Sequence, residues 1–209
     1  SKAFPQLYLS GFASLTREQE QSTEATVKEV ICRLRSYQTV DGSFSYWPGG
    51  TAPNAWGTVY AIHFLLEAEK KGYLVPEGMK RNALNDLSRI ARNWKPEASY
   101  SAESEEMTQA YRLFVLALGQ VAEVGAMNRL KESKTLMSMS RYLLAAGYAL
   151  IGRPDVSKEL VVKTTALTTA CSGYDQTFGS DLRDTSIRLM TLCLLDGGKE
   201  AALLANEIS

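Results

Sequence analysis

Residues Asp41 to Ala68 read DGSFSYWPGGTAPNAWGTVYAIHFLLEA. The first ten residues, Asp41 to Gly50, are turn formers and aromatics. After a short Pro-containing link comes an uninterrupted apolar helix pattern, with Trp56, Val59, Tyr60, Ile62, Phe64, Leu65 and Leu66 leaving almost no polar face. A helix apolar on all sides is buried on all sides. The stretch therefore predicts a tight corner that feeds a buried helix. His63, the chain's only histidine, lies on that helix.

The flanking segments are also helical. Thr16 suits an N-cap, with Glu18 and Glu20 in the first turn, where the helix dipole favours negative charge. Val27, Val30, Ile31 and Leu34 then fall on one face, predicting an amphipathic helix over Thr16–Gln38. Beyond the corner, Gly72 predicts the end of the buried helix and Pro76 the start of another, over Glu77–Trp94, which Pro96 stops. Apolar helices are predicted over Glu105–Val124, Thr135–Ile151 and Asp181–Leu195, the last capped by Ser180. Val156–Ala170 is mixed, Lys199–Ile208 starts one more amphipathic helix, and Asn128–Ser133 reads as a short charged connection.

No run shows sustained strand alternation, which predicts an all-α chain. Helices apolar nearly all round (56–68, 107–124, 136–150, 182–195) alternate with single-stripe helices (17–38, 77–93, 155–170, 199–208). Such alternation predicts helical hairpins in an inner and an outer layer. Closed into a ring they make an α/α toroid, and left open they make a solenoid.

Composition narrows the function classes. The chain has 209 residues, enough for one domain with a sizeable core. Lys+Arg and Asp+Glu are both 23, a balance that argues against a nucleic-acid binder, which would show a basic face. The longest apolar run, Tyr142 to Ile151, is too short to cross a bilayer. The first residue is Ser1 rather than Met, which predicts a piece of a longer protein. Cys32, Cys171 and Cys193 are widely spaced and odd in number, which fits neither a disulfide framework nor a zinc site. They are expected to be small buried apolar residues.

The chemistry-bearing residues are sparse. A lone His63 on an apolar helix reads as packing rather than as a ligand or base. Glu105 and Glu106 are adjacent and so point to different faces. They read as first-turn acids, as do Asp181 and Asp184. Neither Gly49-Gly50 nor Gly197-Gly198 has phosphate-loop or dinucleotide spacing. Asp41, Phe44, Tyr46 and Trp47 have the composition of a carbohydrate or peptide platform. The favoured reading is a helix-to-helix corner whose aromatics plug the end of the hairpin.

Four segments carry a resemblance: SKAFPQLYL (1–9), LRSYQTVDGSFSYWPGG (34–50), NAWGTVYAIHFLLEAEKKGYLVP (54–76) and GSDLRDTSIRLMTLCLL (179–195). In these the chain resembles the bacterial branch of the alpha-2-macroglobulin family, specifically its thioester domain. The resemblance implies a single α/α-toroid domain over 1–209, an incomplete ring within a large cell-envelope protein that inhibits peptidases. In that family a bait region is cleaved, the molecule closes round the peptidase, and a strained Cys–Gln thioester acylates an amine of the prey. The implied partners are peptidases, met through the full-length protein, and neighbouring domains of the same chain. No nucleic acid and no direct membrane insertion are implied, and the location is periplasmic or cell-envelope, with anchoring through the parent protein. The family's Cys-x-Glu-Gln motif precedes a segment like SKAFPQLYL and is absent here. The pairs Glu18-Gln19 and Glu20-Gln21 would need Cys where Thr16 and Glu18 stand. Members that favour hydroxyl acceptors use a histidine roughly where Tyr100 to Met107 lies, and that region has none. No residue is therefore expected to be catalytic, cofactor-binding or metal-ligating, no cofactor is expected, and the chain is read as non-enzymatic.

Two other readings stay open on the residues. One is an enzyme on the same toroid, such as a terpene cyclase, prenyltransferase or glycoside hydrolase. It would require an Asp-rich motif, an Asp, Cys and His set, or two carboxylates across a cavity. The other is a helical scaffold that binds a protein through a concave face.

Overall fold

The computed structural model describes residues 3–96, 102–133, 136–165 and 180–195, together with 198, 201–202 and 204–205. Among them there are ten α-helices and no strand: α1 Ala3–Gln6, α2 Leu9–Phe12, α3 Arg17–Leu34, α4 Ala55–Lys70, α5 Glu77–Asn93, α6 Ala102–Leu118, α7 Val124–Lys131, α8 Ser138–Leu150, α9 Pro154–Thr165 and α10 Asp181–Leu194. The all-α class is as the sequence predicts. The chain divides into two compact units, Ser1–Asp86 and Leu87–Ser209, with the division inside α5.

In the first unit, α3 starts where its cap says it should. Thr16 accepts from the Gln19 N–H, and the Gln19 side chain accepts from the Thr16 N–H, a reciprocal capping box. Only Val27 and Ile31 of α3 are buried, so it is an outer helix. It ends at Leu34 rather than Gln38, because Tyr37 and Gln38 are drawn into the corner that follows. α4 is the inner helix. Asn54 caps it by accepting from the Gly57 N–H at 2.6 Å. Eight of its side chains are buried, among them Val59, Ile62, Phe64 and Leu65. Its end has the double hydrogen bond that a left-handed residue permits: Gly72 (φ 88°) donates to Glu69 and Tyr73 donates to Ala68.

In the second unit, α8 is the hub. α6, α7, α9 and α10 all pack on it. Gly147 makes room for α7, since a Cβ there would lie 3.2 Å from the Met127 side chain. Ser157 of α9 donates to the Ala145 carbonyl at 2.7 Å, and Thr191 of α10 donates to the Tyr142 carbonyl at 3.0 Å. Buried polar side chains thus tie the outer helices to α8 through its backbone oxygens.

Helices α3 to α10 bury inner and outer faces largely as expected, with three departures. The helix expected over Glu105–Val124 stops at Leu118, where Gln120 takes a left-handed φ of 62° and Val121 donates back to Leu116. A separate helix, α7, then covers residues expected to be a charged connection, and it buries Ala126, Met127 and Leu130. The third departure is α10, expected to be buried all round. It buries only Thr191 and Leu192, while Leu182 and Leu194 are exposed, because α8 is its packing partner among the described helices. The loop expected over Gly173–Gly179, with Tyr174 and Phe178, lies outside the described residues, as does Cys171.

Candidate functional site

The corner is built from short-range hydrogen bonds that leave its backbone few alternatives. Thr39 donates to the Ser43 carbonyl at 2.9 Å, Ser45 to the Tyr37 carbonyl at 2.8 Å and Asn54 to the Phe44 carbonyl at 2.8 Å. Thr58 of α4 both receives the Phe44 N–H and donates to the Phe44 carbonyl. The corner is also fastened to α5. The Gln38 side chain donates to the Met79 carbonyl at 2.9 Å, and the Ser43 hydroxyl donates to Asp86 at 2.5 Å, both in buried or part-buried settings. Gly42 is required twice over. Its φ is 107°, and a Cβ would lie 2.4 Å from the Asn82 carbonyl oxygen. The DGSF turn is thus the joint of three helices, α3, α4 and α5.

The aromatics of the corner divide. Phe44 is buried and plugs the hairpin as expected. Tyr46 and Trp47 do not: they are 63% and 71% exposed, with their rings in edge contact at 4.9 Å. Ser43, Phe44 and Ser45 are all buried, and the chain turns outward after Ser45, so that the adjacent Tyr46 and Trp47 both face solvent.

Beside the corner, α1 clamps onto α4. The Phe4 ring meets Tyr60, His63 and Phe64 edge-on at centroid distances of 5.2, 4.9 and 5.9 Å. The Tyr8 hydroxyl donates to Glu67 at 2.5 Å, and Lys71 sits over the Tyr8 ring at 4.8 Å. Glu67 also holds Lys70 at 2.7 Å. Desolvation and the Glu67 hydrogen bond raise the Tyr8 phenol well above its usual range. Against a desolvation cost, the Lys70 and Tyr8 hydrogen bonds hold the Glu67 carboxyl below the ordinary range. His63 is half-buried in this cluster. Desolvation lowers its pKa to about 4, against the opposing charge of Glu67 and with help from Lys70. The histidine is neutral and packed at neutral pH, as its apolar helix implies.

An open groove of about 750 Å³ runs beside the clamp, lined among others by Gln6, Leu7, Ile31, Cys32, Lys71 and Tyr73. His63 is not part of its lining. Cys32 and Cys193 are exposed, which corrects the expectation that they are buried. Each lies on the outer side of a helix that buries only one stripe. In the second unit the adjacent carboxylates separate as expected: Glu105 is exposed and Glu106 is buried. Glu106 is more than a first-turn acid, however. It accepts the Met137 N–H at 2.8 Å at the start of α8. Asp184 pairs with Arg183 at 2.6 Å. Among the described residues no three His, Cys, Asp or Glu side chains gather as a metal would need. No described helix is long and apolar enough to cross a membrane.

These features define an all-α chain whose first unit joins α3, α4 and α5 at a hydrogen-bonded DGSF corner. No family model matches the chain. Individual proteins do. The chain is 27% identical over 204 residues to the alpha-2-macroglobulin of Escherichia coli K12, covering 92% of this chain and 12% of that protein. It is 28% identical over 164 residues to the alpha-2-macroglobulin of Xylella fastidiosa Temecula1, covering 75% and 10%. The crystal structure of trypsin-activated E. coli alpha-2-macroglobulin superposes over 99% of this chain with a TM-score of 0.81 at 23% identity. That of Salmonella alpha-2-macroglobulin reacted with methylamine does so over 98% with a TM-score of 0.82 at 24% identity. The chain is homologous, in sequence and in structure, to the bacterial alpha-2-macroglobulins. It spans between 10% and 15% of the length of these relatives.

Proposed function

We propose that this chain is the thioester domain, or most of it, of a bacterial cell-envelope peptidase inhibitor. The observation that carries the proposal is the match to the E. coli protein along 92% of the chain. Peptidases are the partners of the whole protein, after cleavage of a bait region that lies elsewhere in it. Neighbouring domains of the same polypeptide are the direct partners of this one. The location is periplasmic or cell-envelope, with anchoring through parts of the polypeptide outside residues 1–209.

In this reading the domain is a carrier and not an enzyme. Acylation needs an activated acyl group, and the Cys-x-Glu-Gln sequence that would supply it does not occur in residues 1–209. The chemistry is accordingly assigned upstream, before the SKAFPQLYL segment. Within the domain, Phe4 and Tyr8 of that segment are held against α4. A base that assists hydroxyl acceptors would be a histidine in the region 100–107, and none stands there. The acyl group is therefore expected to prefer amines. In the full-length protein, labelled methylamine is expected to be incorporated, and glycerol at the same concentration is expected not to compete. Equal competition by glycerol would overturn the amine preference.

A further inference from the structure

We infer that Tyr46 and Trp47 form the centre of a docking surface for another domain of the same polypeptide. This rests on the reading of the chain as one domain of a long alpha-2-macroglobulin homologue. An exposed aromatic alone means little, because single surface apolar residues are normal. Here three observations coincide.

The first is charge. Residues 36–53, the corner before α4, carry one Asp, Glu, Lys or Arg side chain, Asp41, in a protein that is 22% charged. The exposed residues of the corner (Val40, Tyr46, Trp47, Pro48, Gly49, Thr51, Ala52 and Pro53) are otherwise uncharged. Depletion of charge with enrichment of Tyr and Trp is the compositional mark of the centre of a protein interface, not of bulk surface. The second is rigidity. The Ser45 hydroxyl donates to the Trp47 carbonyl at 2.6 Å, Gly49 donates to the Ser36 carbonyl at 2.6 Å, and Gly50 donates to the Trp47 carbonyl at 3.1 Å. The backbone that carries the two rings is thus preset, and docking them costs little conformational entropy. The rings also stand at 79° to one another, which presents an edge and a face and not the flat platform that a sugar ring stacks on. The third is length. The chain covers 12% of its E. coli relative, so most of such a polypeptide lies outside these residues and is tethered to them. A tethered domain meets the patch at high effective concentration, which a free partner does not. The opposing surface is expected to be poor in charge and apolar, because Asp41 is the corner's sole charge.

The test is hydroxyl-radical footprinting with mass spectrometry on the full-length native protein, with Phe44 as an internal buried reference. Trp47 and Tyr46 are expected to be protected to nearly the level of Phe44. A Trp47→Glu variant is expected to raise oxidation of Tyr46, because an interface loses most of its binding energy with its central anchor. Free reactivity of Trp47 in the native full-length protein would overturn the inference. So would protection that grows with protein concentration, which assigns the patch to a second copy, or protection that appears only on adding a peptidase. Peptidase retention by the same samples is read separately. Retention with a reactive Trp47 defeats the docking surface alone, and protection without retention defeats the inhibitor reading alone.

Discussion

Burial of His63 works against the first unit in acid. Its folded pKa of about 4 lies below the ordinary 6.5, chiefly through desolvation. Glu67 and Lys70 face it from its own helix, among other groups, and the uncharged ring of Phe4 packs against it from α1. Between pH 6.5 and about 4 the unfolded chain binds more protons at this site than the folded one, so stability falls as pH drops through that window. The loss is on the order of 2 kcal/mol, allowing for the ring's partial exposure. Glu67, whose folded pKa is lowered, acts in the same direction, but below its own ordinary value of 4.5. Denaturant titrations from about pH 7 to about pH 4 are expected to show this slope, and His63→Gln is expected to flatten it above about pH 4.5. An unchanged slope in the variant would rule out the assignment. The packed histidine is legible from its apolar helix. The clamp around it is not, because the partners are Phe4 and Tyr8, far from α4 in the sequence. The outward turn of Trp47 is equally hidden: a residue type does not say which of three neighbouring aromatics fills the one available hole.

Helix starts are legible where the cap is local and illegible where it is supplied from a distance. Thr16 and Ser180 both accept the N–H three residues on, as their sequence positions imply. α8 begins after Met137, which has no side-chain cap of its own, and the buried Glu106 of α6 takes the role by accepting the Met137 N–H. Burial pushes the Glu106 carboxyl up, while this bond and the Ser140 hydroxyl pull it down. Glu106→Ala is expected to cost about 2 kcal/mol, the sum of a lost cap and a part-buried N–H left without its acceptor. Glu106→Gln keeps an acceptor oxygen and is expected to cost about 1 kcal/mol. Chemical unfolding of the two variants measures the difference, and equal losses would show that the side chain is not acting as a cap. The end of α6 is hidden for a related reason. The left-handed stop that glycine usually signals is taken by Gln120, and the apolar pattern runs on to Val124. The many apolar residues of α10 suggest burial, whereas burial also needs neighbours on every side.

At the scale of the molecule, the all-α class follows from periodicity alone, and the relatives follow from the corner and the helix after it, residues 34–50 and 54–76. Those segments are specific because they are multiply constrained: Gly42 by its φ and by Asn82, Ser43 by Asp86, Thr58 by Phe44 and Asn54 by its cap. Function is less legible for a physical reason. On the proposed reading the domain keeps its fold through packing and capping, and the bond that does the chemistry would lie outside residues 1–209. The most direct measurement mixes elastase with the full-length protein and, separately, with residues 1–209, and follows covalent conjugates under denaturing conditions. A denaturant-resistant conjugate is expected with the full-length protein, with loss of elastase activity on large protein substrates, and none is expected with residues 1–209. A conjugate formed by residues 1–209 alone, or elastase left free and fully active by the full-length protein, would contradict the proposal.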